Sequence, residues 1–100
     1  MKTSRNSGAV TVERIPKTGD LVLLCQTGEG KTGRYRTPFA AFLSRDDGKT
    51  WTFARNLAED PENDYGYQSL IFLGDTALVS YHTRDGIHVA RVSVEWFYDK

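Results

Sequence analysis

One hundred residues leave room for at most one domain, and 39% hydrophobic against 26% charged residues is the balance of an ordinary globular chain. Lys+Arg and Asp+Glu stand at 13 each, so no basic excess exists to hold nucleic-acid phosphates or an acidic membrane surface. No apolar run approaches the roughly 18 residues that a membrane helix needs.

The polar start, Met1 to Gly8, has no apolar stretch of the kind a signal peptide carries, which makes the cytoplasm the expected location. Apolar residues then recur with period two in short runs. The first is Ala9–Ile15, closed by the turn residues Pro16-Lys17-Thr18-Gly19-Asp20. Leu21–Gln26 is a continuous apolar run, and Cys25, the only cysteine, reads as a buried strand thiol within it. A Gly-rich loop, Thr27–Tyr35, leads to a strand over Thr37–Ser44. Asp46-Asp47-Gly48-Lys49-Thr50 then turns the chain into Trp51–Leu57. After an acidic loop, Ala58–Asp64, come Tyr67–Leu73, Ala77–His82 and Ile87–Val94, separated by Gly74-Asp75 and Arg84-Asp85-Gly86. Such Gly/Asp pairs between alternating runs are hairpin signals. The closing Trp96-Phe97-Tyr98 is an aromatic cluster expected to pack against a sheet or a neighbouring chain.

No segment sustains a 3.6-residue period, so helix is expected to be scarce. The reading is an all-β chain of about seven consecutive strands, a four-stranded meander over 9–57 and a three-stranded one over 65–94. Sandwich, barrel and propeller blades fit that pattern equally.

One motif is more specific. Ser44-Arg45-Asp46-Asp47-Gly48-Lys49-Thr50-Trp51 fits Ser-x-Asp-x-Gly-x-Thr-Trp. Ser44 and Asp46 can bond the backbone of their own turn, and Gly48 can supply the positive φ that closes it. Trp51 is expected to lie under the hairpin and bury a large apolar area. The pattern resembles the Asp-box of sialidase-like, BNR-repeat β-propellers. The flanking runs Arg36-Thr37-Pro38-Phe39-Ala40-Ala41-Phe42-Leu43, Tyr65-Gly66-Tyr67-Gln68-Ser69-Leu70-Ile71, Leu78-Val79-Ser80-Tyr81 and Ile87-His88-Val89-Ala90-Arg91 follow in an order similar to the C-terminal part of those proteins, a resemblance that covers about Ser7 to Tyr98. The resemblance implies a single partial propeller domain spanning 1–100, two antiparallel blades of a six-bladed type. Blade one covers about 9–57, and blade two, about 65–98, lacks one strand.

What it implies for chemistry falls on few residues. Arg36 matches an arginine that, in sialidases, helps clamp the substrate carboxylate, with Arg34 competing for that place; a guanidinium grips a carboxylate through two parallel hydrogen bonds. Tyr67 matches the nucleophilic tyrosine that opens a strand in a Tyr-x-x-Leu context. A phenol with a pKa near 10 needs a base to become one. The resemblance gives Ser44, Asp46, Gly48 and Trp51 a structural role, and it implies no cofactor and no metal. The remaining arginines, the acid/base aspartate and the glutamate partner belong to blades this chain lacks. Tyr81-His82 stands where many sialidases show Tyr-Glu.

The implied parent activity is hydrolysis of a terminal sialic acid or related acidic sugar. The alternative is a non-catalytic module that binds a carbohydrate or another protein. A blade short of a strand leaves an unpaired edge and apolar faces, so self-association is expected, with a ring of three chains as one form.

Other signals are weaker. Gly28-Glu29-Gly30-Lys31-Thr32 resembles the end of a phosphate-binding loop, but Cys25 stands where its first glycine belongs. His82 and His88 sit on separate strands without a companion ligand. Asp60, Glu62 and Asp64 alternate like calcium ligands but lack the glycine and terminal glutamate of such loops. Glu59 and Asp60 can act as acid or base only beside a pocket.

Overall fold

The computed structural model describes residues 10–26, 37–60 and 65–98. Seven strands and one 3-10 turn follow in chain order: β1 (Thr11–Arg14), β2 (Leu21–Gln26), β3 (Phe39–Ser44), β4 (Thr52–Ala58), β5 (Gly66–Leu73), β6 (Thr76–Thr83), β7 (Gly86–Ser93) and the turn Val94–Phe97. Strands β1 to β4 form one antiparallel sheet in sequence order, and β5 to β7 form a second. The chain is all-β, with neither sheet closed on itself.

Each hairpin has a local cause. Ile15 and Gly19 close the first turn through Ile15 N–H to Asp20 O (2.7 Å) and Gly19 N–H to Ile15 O (2.8 Å). Leu73 pairs with Thr76, which leaves Gly74-Asp75 as a two-residue loop. Gly74 sits at φ 62°, a value that tight hairpins require and that costs glycine least. Between β6 and β7, Asp85 N–H donates to Thr83 Oγ1 at 3.0 Å.

Burial explains the composition of the strands. β2 lies between β1 and β3, and its residues from Val22 to Gln26 are all buried, so it reads as a continuous apolar run. β5 is buried on one face only and alternates. Its inward residues Leu70 and Phe72 pair with Val79 and Ala77 of β6. These meet Val22, Leu24, Phe39, Ala41 and Leu43 of the first sheet in one core, which Ile15, Val94 and Phe97 complete. At one end the rings of Phe39, Tyr65 and Tyr81 join the sheets, with centroids 5.1 Å apart for Phe39–Tyr81 and 6.0 Å for Tyr65–Tyr81. A polar link runs beside them: Gln26 Nε2 donates to Gln68 Oε1 (3.1 Å), and Gln68 Nε2 donates to Leu24 O (3.2 Å).

The other face of each sheet also carries apolar residues. Val12, Leu23, Phe42 and Phe53 are in register across all four strands of the first sheet, on the side away from the shared core. Ile71, Leu73, Ile87 and Val89 occupy the outer face of the second sheet and are more than half exposed.

Strand limits differ from the sequence expectation by one or two residues. β4 begins at Thr52, leaving Trp51 in the turn. The last strand ends at Ser93 rather than Val94, because Val94 N–H turns to Asp75 O (2.8 Å) and starts the 3-10 turn. That turn buries Phe97, so the closing aromatics pack on this chain's own core.

Candidate functional site

The turn from Ser44 to Trp51 is built almost wholly from its own side chains. Ser44 is buried and donates its hydroxyl to Asp46 Oδ1 at 2.8 Å, while Gly48 N–H donates back to Ser44 Oγ at 2.8 Å. Asp46 receives Thr50 N–H at Oδ1 (2.8 Å) and the Thr50 hydroxyl at Oδ2 (2.6 Å). The Thr50 hydroxyl and backbone bonds, then that of Ser44, pull the Asp46 carboxyl down to about 2. Gly48 has φ 89°.

Trp51 donates its indole N–H to Gly48 O at 3.1 Å. Its ring lies against the turn at Gly48, largely buried there and apart from the core that the two sheets share.

Around this turn stand two further links. Arg14 pairs with Asp47 at 2.9 Å and donates to Gly19 O at 2.7 Å, tying two loops together. The Tyr98 hydroxyl donates to Asp20 Oδ2 at 2.6 Å and contacts Thr18 Oγ1 at 2.8 Å. The Tyr98 ring lies under the Arg45 guanidinium, 5.2 Å from its centroid. Between them opens a groove of about 340 Å³ lined by Arg45, Thr50, Thr52, Phe53, Phe97 and Tyr98. Sequence reasoning missed Arg45, which fills a variable position of the motif and gains its setting only from the distant Tyr98.

Of the residues matched to a sialidase site, Tyr67 is described, and it lies elsewhere. Tyr67 is the second residue of β5 and points outward, 76% exposed. Its φ is 49°, at a register shift between Gly66 and Ser69, and a left-handed tyrosine is an uncommon, strained arrangement. The His82 ring stands 5.4 Å from its own. Arg36 and Arg34 lie outside the described residues, as do the Gly28–Thr32 segment, Glu62 and Asp64. Thr37, which follows Arg36 in the chain, is buried at the Tyr65 end, donating to Asp60 O at 2.8 Å, and Asp60 N–H donates to the Tyr65 hydroxyl at 3.2 Å. That end is the opposite one from the Ser44–Trp51 turn. Phe39 of β3 touches Tyr65, and Ser44 closes the same strand five residues on, roughly 17 Å away.

His88 lies over Tyr81, with ring centroids 5.6 Å apart. Cys25 is fully buried, and burial pushes its thiol up to about 11. No family model, curated protein or solved structure matches the chain.

Proposed function

We propose that the chain is a pair of consecutive blades of a sialidase-like propeller, acting as an interaction module rather than as a hydrolase by itself. The observation that carries this reading is the Ser44–Thr50 turn. Ser44, Asp46, Gly48 and Thr50, four of the motif's fixed positions, are the groups that close it, and it joins the third and fourth strands of a four-stranded meander. The second sheet, one strand shorter, stacks on the first as a neighbouring blade does.

The apolar outer faces of both sheets give such a module its partners, further blades or a second copy of this chain. The hydrolase reading assigns Tyr67 as nucleophile and Arg36 as carboxylate clamp, acting on a terminal acidic sugar. Tyr67 faces outward beside His82 rather than into the aromatic cluster of Phe39, Tyr65 and Tyr81, and this favours binding over turnover in the isolated chain.

A fluorogenic sialoside separates the two. The purified chain is expected to release no fluorophore. Turnover that Tyr67→Phe abolishes, while the melting curve stays unchanged, overturns the module reading in favour of the hydrolase.

A further inference from the structure

The groove beside the Ser44–Trp51 turn has a donor and acceptor pattern that no part of the fold uses. Arg45 is exposed and lies over the Tyr98 ring. The ion pairs Arg14–Asp47 and Lys17–Asp75 do not involve Arg45, and no described carboxylate pairs with it. The ring holds the guanidinium plane at the groove and leaves its N–H edge for an anion, for which two parallel hydrogen bonds to a carboxylate are the best match.

The hydroxyls opposite are of the reverse kind. Thr50 spends its hydrogen on Asp46 and Thr52 spends its own on Leu43 O at 3.3 Å. Both oxygens therefore offer lone pairs only, which suits O–H donors on a ligand. The Tyr98 ring supplies apolar surface against which a ring can lie. About 340 Å³ is at the small end of ligand pockets and admits one ring rather than a chain of them.

We propose that this groove binds a small hydroxylated carboxylate of single-ring size, with Arg45 on the carboxylate and Thr50 and Thr52 accepting from its hydroxyls. The site is at the opposite end of the sheets from Tyr67 and does not depend on the blade reading. Its role is binding, since no nucleophile or general base stands among its lining groups.

The test is an amide chemical-shift titration of the intact chain with three probes: glucuronate, glucose and benzoate. Glucuronate is expected to shift amides in 43–54 and 97–98 in a saturable way at millimolar concentration. Glucose, lacking the charge, and benzoate, lacking the hydroxyls, should each bind at least about tenfold more weakly. Arg45→Gln should weaken glucuronate by a similar factor. Thr52→Val, at an exposed position, should weaken glucuronate while leaving benzoate unchanged. Both variants should keep the native spectrum elsewhere. Absence of saturable shifts, shifts that Arg45→Gln preserves, or equal binding of all three probes overturns the proposal.

Discussion

The side chains of Gln26 and Gln68 meet across the two sheets, Nε2 to Oε1 at 3.1 Å, with Gln26 fully buried. A buried amide of this kind stabilises little on balance but costs a full desolvation penalty when its partner is removed. Gln26→Leu is therefore expected to destabilise the chain by about 1–3 kcal/mol in urea melts. The double variant Gln26→Leu/Gln68→Leu should cost less than the sum of the two single changes, because neither amide is then left facing apolar surface. Additive single effects would show that the pair does not join the sheets.

Asp46 sets the acid sensitivity of the Ser44–Thr50 turn. The Thr50 and Ser44 bonds hold its carboxyl at about 2, against 3.8 for a free aspartate side chain. A depressed folded pKa means that the unfolded chain takes up the proton first as pH falls. The stabilisation is complete above about 4, declines below that, and is gone once pH passes about 2. Asp46→Asn is expected to lower the melting temperature at pH 7 and to flatten the fall in melting temperature between those limits. Identical acid limbs for the two proteins would show that the carboxylate does not close the turn.

Trp51 and Phe39 separate capping from core packing. Trp51 is partly buried beside the turn, whereas Phe39 is fully buried among Tyr65 and Tyr81. Phe39→Ala should cost about 3–5 kcal/mol. Trp51→Ala should cost about 1–3 kcal/mol, combining partial burial with the lost indole bond to Gly48 O. A Trp51→Ala cost equal to that of Phe39→Ala in denaturant melts would place the indole in the core after all.

Much of the fold was legible because it is local. Alternation in β5, the unbroken apolar run of β2 and the Gly74-Asp75 pair each encode their element within a few residues. The Ser44–Thr50 turn was legible for the same reason, since its hydrogen bonds connect residues no more than four apart. What escaped depends on pairs distant in the chain: Gln26 with Gln68, Arg45 with Tyr98, and the stacking of the sheets. The outward face of Tyr67 follows the same alternation as Ser69, Ile71 and Leu73, whereas its left-handed backbone at the register shift between Gly66 and Ser69 has no signal in the sequence.

The outer faces give the last prediction. Ile71, Leu73, Ile87 and Val89 stand on the outer side of the second sheet, and the row Val12–Leu23–Phe42–Phe53 on the outer side of the first. The two faces differ in residues and shape, so a contact between copies that joins one to the other is head-to-tail. Such a contact closes into a ring or grows into a fibre. Six stacked sheets, the number in a six-bladed propeller, correspond to three chains of two sheets each. Light scattering at about 100 µM, where micromolar contacts are populated, is expected to show a species near three times the 11.3 kDa chain mass. Ile87→Lys/Val89→Lys, at two exposed positions of β7, should return the chain to a folded monomer whose unfolding no longer depends on concentration, because neither side chain contributes to the core. A wild-type chain that stays monomeric at that concentration, with unfolding independent of concentration, removes the ring and leaves the two stacked sheets as a self-sufficient sandwich.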